Sequence, residues 1–146
     1  MQRPLLMLAL IWVSFLLVFP FAAQGDTSYL HISAHSLQLP LLVLAIVVAW
    51  RSRQATTTRA QKVLTWILSV SVPLAVLGIA LELLTAVVRL GQDGWINKDT
   101  ADVWAQGPHA VAANLTIPSL MISMLAVLAL VVTAAVQGRR RLERVT

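Results

Sequence analysis

The sequence predicts an all-α integral membrane protein, and three observations lead to this prediction. First, 58% of its 146 residues are hydrophobic and only 12% are charged, whereas a soluble domain carries about twice that charged fraction. Second, the apolar residues fall into four long runs separated by polar segments. Third, the basic residues cluster beside these runs. At this length we expect a single domain, residues 1–146, made of four transmembrane helices.

The first span is predicted at residues 4–23, which contain no charge. Its 20 residues suit a bilayer core of ~30 Å at about 1.5 Å per residue. The segment also resembles a signal peptide, because a basic start precedes it and small residues end it. The run is long for the apolar region of a signal peptide. We therefore expect a retained first helix.

The second span is predicted at residues 30–50. Its apolar part, 37–50, is too short to cross a bilayer, so the helix must begin in the polar residues before it. One helical face then carries polar and small side chains, which we expect to face other helices. These residues are His31, His35, Gln38, Leu42, Ala45 and Ala49.

The third span is predicted at residues 63–89, and Glu82 is its only charge between Lys62 and Arg89. A carboxylate is costly in lipid, so by default it faces protein or trapped water and marks a functional site. Glu82 belongs to a helical stripe of small and polar residues that we expect to face the bundle interior. The stripe consists of Ser71, Ala75, Gly78, Glu82, Thr85 and Arg89.

The fourth span is predicted at residues 110–137. Pro40, Pro73 and Pro118 lie within the second, third and fourth spans. Each proline lacks a donor for the carbonyl four residues earlier, which for Pro118 belongs to Asn114. Neighbouring helices can satisfy such carbonyls. Alternatively, the kinks open a polar pocket, and Asn114 is then a candidate pocket residue.

The distribution of Lys and Arg predicts the orientation. Nine of the 11 basic residues lie in the N-terminal start, the 51–62 loop and the C-terminal tail. Such an excess marks the cytoplasmic side. We therefore expect an up-down-up-down bundle with both termini cytoplasmic. Because the net charge of +5 is concentrated beside the spans, nucleic acid is not an expected partner. Arg outnumbers Lys, which is typical of a GC-rich bacterial genome, and for a multi-pass bacterial protein we expect the cytoplasmic (inner) membrane.

Helix lengths also predict a contact between the second and third spans. If Trp50 and Trp66 mark the same interface, His35 lies beside Glu82 at about 1.5 Å per residue. We predict that His35 is the imidazole nearest to Glu82, with His31 as the alternative partner. The same count from Gln137 places His109 well above His35.

Three further kinds of site are considered from these residues. Haem b could be ligated by His31 or His35 together with His109, although the heights match poorly. A metal ion could be bound by His31 and His35, with Glu82 or Asp26 as the third ligand. Glu82 could also serve a small proton-coupled transporter, although it lies away from the midplane. The absence of cysteine excludes thiolate sites.

The preferred functional prediction is non-enzymatic. The segments outside the apolar runs are short, and no catalytic motif is found in them. We expect a small accessory or assembly subunit of a larger membrane complex, such as a respiratory complex, or a homo-oligomer. Its outer-leaflet pocket would hold lipid or quinone and would be lined by the candidate residues. These are Glu82, His35, His31, Gln38, Asn114 and His109.

Overall fold

A computed structural model describes residues 2–23, 28–56, 58–94 and 107–143. These residues form helices and short connections, with no strand among them, which confirms the all-α prediction. A 3₁₀ turn, Arg53–Ala55, follows the helix that ends at Ser52. The α-helices in chain order are α1 Gln2–Leu16, α2 Val18–Ala23, α3 Ser28–Ser52, α4 Arg59–Asp93 and α5 Gly107–Leu142.

Four helical stretches are long and apolar enough to cross a membrane, as the sequence predicts. They are Gln2–Pro20, Ile32–Ser52, Arg59–Gln92 and Gly107–Arg140. The last two run past the predicted spans 63–89 and 110–137, because a helix continues into polar residues after its apolar run ends. The chain therefore has the helices of a multi-pass membrane protein. The up-down-up-down order and the cytoplasmic termini stay predictions.

The first span is interrupted, although the sequence predicts one continuous helix over residues 4–23. Helix α1 ends at Leu16, Leu17 forms a turn, and α2 begins at Val18. Pro20 explains this break, because it has no N–H to donate to the carbonyl of Leu16. The prolines inside α3, α4 and α5 do not end those helices.

The four spans pack as a ring. Helix α1 packs against α3 and α5, and α4 packs against the same two helices, so α3 and α5 lie across the ring from each other. The Arg3 guanidinium donates to the Arg51 carbonyl at 2.9 Å, and the Gln38 amide donates to the Ser14 carbonyl at 3.1 Å. These two bonds show that α1 and α3 run in opposite directions.

The predicted inner face of α4 is confirmed at Ser71, Ala75, Gly78 and Glu82, which are all buried. Thr85 and Arg89, at the end of the stripe, are half-buried. On the outer face, Leu77 and similar large apolar side chains are exposed, as expected for contact with lipid. The polar stripe therefore faces the interior of the ring.

Gly78 marks the closest approach of α4 and α5. A Cβ atom at this position would lie 2.8 Å from the Thr116 nitrogen and 3.0 Å from its Cα. No side chain fits there without a shift of the α5 backbone. The glycine thus brings Thr116 close to Glu82, one turn further along α4.

Candidate metal centre

Glu82 lies between two histidines from different helices. Its Oε2 atom is 3.4 Å from Nε2 of His35 on α3 and 3.5 Å from Nε2 of His109 on α5. All three residues are buried, and one potential ligand atom of each lies within 4.8 Å of the other two. The predicted contact between His35 and Glu82 is confirmed, and His109 approaches the carboxylate almost as closely.

The predicted height of His109, well above His35, is wrong. The two imidazole rings have centroids 6.5 Å apart. The error comes from the assumption that Gln137, at the other end of α5, lies level with Trp66. Gln137 instead hydrogen-bonds Thr58 at 3.0 Å. Thr58 precedes Trp66 by eight residues, or about 12 Å of helix. Counted from Thr58, the difference in height between Glu82 and His109 falls to about 6 Å, or one helical turn.

Thr116 on α5 completes the surroundings of the carboxylate. Its hydroxyl donates to Oε1 of Glu82 and also lies 3.2 Å from the Ala112 carbonyl. Sequence reasoning missed this residue and selected Asn114, whose side chain is exposed. The missed signal is a stripe on α5 that resembles the one on α4. It comprises His109, Ala112, Thr116, Ser119 and Ser123, all of which are buried.

Gln38 fixes the orientation and the tautomer of His35. The Gln38 side-chain nitrogen donates to the Ser14 carbonyl at 3.1 Å, so its Oε1 atom is the one that faces Nδ1 of His35, at 2.9 Å. An amide oxygen only accepts, so the proton in this contact belongs to Nδ1. Ser14 lies in the last turn of α1, where carbonyls lack intrahelical partners.

This tautomer determines what lies between His35 and Glu82. With Nδ1 protonated, a neutral His35 turns the lone pair of Nε2 toward a carboxylate oxygen. Two lone pairs repel each other, so the contact requires a proton or a cation. The structure therefore contains a position where positive charge is needed, within a part of the chain long and apolar enough to span a membrane.

The distances fit a metal ion as well as a shared proton. An N–H···O hydrogen bond usually measures about 2.7–3.2 Å, and both His–Glu contacts are longer, at 3.4 and 3.5 Å. A tetrahedral ion with metal–ligand distances of about 2.0–2.2 Å holds its ligand atoms ~3.3–3.6 Å apart. The two contacts match this separation. The third, between the two histidines, is at most 4.8 Å.

Two other predicted sites, a metal site at His31 and a haem site, have different outcomes. Asp26 and the side chain of His31 lie outside the described residues, so a metal site built on them stays a prediction. Haem ligated by His35 and His109 would place its porphyrin ring in the space that Glu82 and Thr116 fill. This arrangement favours a single ion.

In comparisons with known proteins, no family model matches the chain, and no similar curated protein or solved structure is found. The interpretation of the centre therefore depends on its own geometry.

Proposed function

We propose that this membrane protein binds one divalent transition-metal ion, such as Zn²⁺, through His35, Glu82 and His109. The observation that carries the proposal is the convergence of three ligand atoms, all within 4.8 Å of one another, from three helices. Two imidazoles and one carboxylate are a ligand set that zinc takes in proteins. Magnesium and calcium prefer oxygen ligands, so they fit the two histidines less well.

The residues around the ligands also support metal binding. Metal-binding histidines commonly donate their other N–H to an oxygen atom, which fixes the ring and its tautomer. The bond from His35 to Gln38 has this form. Ligating carboxylates are in turn hydrogen-bonded, as Glu82 is by Thr116. The metal would also offset the cost of placing a carboxylate inside a membrane span.

A bound ion would connect α3, α4 and α5 at one end of the ring. Its ligands are buried on three different helices, so the ion would hold these helices together. We therefore propose a non-enzymatic role in which the metal stabilises the protein as an accessory subunit of a larger complex in a bacterial inner membrane. The exposed leucines and valines of α4 and α5 offer apolar surface for lipid or for such a partner.

Metal content and affinity test this proposal. The purified protein, stripped with a chelator and titrated with Zn²⁺ in lipid nanodiscs, should bind one equivalent. His109→Ala and Glu82→Gln should each weaken binding at least a hundredfold, because each removes one of three ligands. Co²⁺ in place of Zn²⁺ should give the visible absorption bands of a low-coordinate nitrogen and oxygen site.

Asn114→Ala is the matched control, because Asn114 lies on α5 between His109 and Thr116 but is exposed. Its zinc affinity should equal that of the wild type. Equal zinc binding by the wild type, His109→Ala and Glu82→Gln would overturn the proposal. The cluster would then be a buried hydrogen-bonded group that shares a proton.

A further inference from the structure

A cavity of about 380 Å³ lies at the opposite end of the ring from the metal centre. It is bordered by the start of α1, the end of α3 with the segment after it, the start of α4 and the second half of α5. Its volume falls within the ~300–1,000 Å³ of ordinary ligand sites. The lining residues are Gln2, Arg3, Pro4, Ser52, Thr56, Gln61, Leu130 and Ala134.

The position of the cavity along the helices places it at the other membrane surface. Ser52 follows His35 by 17 residues on α3, which is ~25 Å of helix. Trp50 and Trp66, near this end, are 61% and 59% exposed, and exposed tryptophans are enriched where lipid headgroups meet the acyl chains. The cavity therefore lies at the level of the headgroups.

The lining has two chemically distinct parts. Leu130, Ala134 and Pro4 supply apolar surface, whereas Ser52, Thr56, Gln61 and other residues supply polar groups. A ligand that suits this lining has a polar group joined to an apolar one. This division agrees with a lipid at its headgroup boundary better than with a free, fully hydrated anion.

Arg3 gives the cavity its charge. It is the one charged residue among the lining residues that the structure describes. Its Nη1 atom donates to the Arg51 carbonyl at 2.9 Å, which holds the guanidinium at the cavity. A guanidinium has five N–H donors and matches phosphate geometry. The bond to Arg51 uses only one of these donors.

We propose that this cavity binds the phosphate headgroup of an anionic phospholipid, with Arg3 on the phosphate and the glycerol region against Leu130 and Ala134. The site goes beyond the proposed metal function and does not depend on it. It lies at the end of the ring that the arginine distribution predicts to be cytoplasmic, where anionic lipids give the membrane its negative surface potential.

Native mass spectrometry of the full chain in detergent tests this inference, with phosphatidylglycerol, phosphatidylcholine of the same acyl chains, and inorganic phosphate as probes. The wild type should retain one phosphatidylglycerol in preference to phosphatidylcholine. Arg3→Gln should lower that retention about fivefold, the effect of one interfacial charge. Ala134→Phe should lower it as well, because it fills the cavity and leaves every charge in place.

Two variants serve as matched controls. Arg139→Gln removes an exposed charge that does not line the cavity, and Ala135→Phe makes the same enlargement one residue away. Both should retain lipid as the wild type does. Equal losses in Ala134→Phe and Ala135→Phe, or none in Arg3→Gln, would overturn the lipid site. Tight binding of inorganic phosphate alone would assign the cavity to free phosphate instead. Zinc content should be unchanged in all four variants, so this test and that of the metal centre fail independently.

Discussion

Ser71 and Glu82 on α4 both contact polar side chains of α5, and these two positions differ in what they need from the rest of the protein. The hydroxyls of Ser71 and Ser123 lie 2.8 Å apart, and the Ser123 hydroxyl is also 2.8 Å from the Ser119 carbonyl. The two hydroxyls supply two protons, so residues of α4 and α5 alone satisfy the hydrogen bonds of this serine pair. Eleven residues away on α4, or ~16 Å of helix, Glu82 contacts side chains from two further helices, α3 and α5.

The comparison shows how a polar interface residue differs from a site residue. Serine is neutral, and a single hydroxyl partner with a backbone carbonyl satisfies it. Glu82 carries a charge, so it draws on His35, His109 and Thr116. Both positions belong to one inward stripe in the sequence. The number and chemistry of the partners, which only the structure provides, separate packing from binding.

Gly78→Leu should have the largest effect, because it breaks both contacts together. The added side chain would collide with the Thr116 backbone and push α5 away from α4. Overpacking of this kind costs about 1–3 kcal/mol or more. We expect a lower free energy of unfolding in a detergent titration, together with weaker zinc binding, because His109 and Thr116 move with α5.

The neighbouring residue provides the control for this variant. Leu77 is 50% exposed on the outer face, so Leu77→Phe should change neither stability nor zinc affinity. If both variants were tolerated equally, the assignment of the inner face of α4 would be incorrect.

Gln38→Leu should have the next largest effect and should act only on the Glu82 end. This variant removes the oxygen that accepts the Nδ1 proton of His35. Loss of such a supporting bond lowers metal affinity about 10–100-fold. Zinc titration measures the loss, and ¹⁵N NMR of the imidazole in the metal-free protein reports the tautomer directly.

Gln38→Glu sharpens the interpretation of this result. It retains an oxygen to accept from Nδ1 but loses the donor to the Ser14 carbonyl. We expect it to retain more zinc affinity than Gln38→Leu. A wild-type NMR spectrum with no proton on Nδ1 would contradict the role assigned to Gln38, whether or not the protein binds zinc.

Ser71→Ala should have the smallest effect and should act only on the middle of the interface. Hydrogen bonds between membrane helices contribute about 0.6 kcal/mol on average. The Ser123 hydroxyl can still donate to the Ser119 carbonyl after the change. We expect a slight loss of stability in the same detergent titration and unchanged zinc affinity. A loss as large as that of Gly78→Leu would mean that the two contacts are coupled.

The sequence predicts much of the fold and half of the site. Apolar runs and stripes of small residues identify the four spans, the inward face of α4 and the contact of His35 with Glu82. They do so because the bilayer demands long apolar helices and allows few buried charges. His35 and Glu82 lie on consecutive spans joined by one short loop. The relative height of the two residues can therefore be counted along the sequence with little error.

The remaining parts depend on distances that a sequence does not contain. His109 and Thr116 reach Glu82 through the vertical position of α5, which is set by packing at Gly78 and by the bond between Gln137 and Thr58. The role of Gln38 depends on the Ser14 carbonyl in a helix that ends early at Leu16. Neither the register of α5 nor the end of α1 can be deduced from apolar runs alone.

The order of the ligands along the chain has a consequence for biosynthesis. His35 and Glu82 belong to helices made early, whereas His109 belongs to the last span. Until α5 enters the membrane, two of the three side chains that contact Glu82, those of His109 and Thr116, are missing. A chain shortened before Gly107 would leave that acid without its two contacts from α5. The surroundings of Glu82 are therefore complete only when α5 has packed against α4.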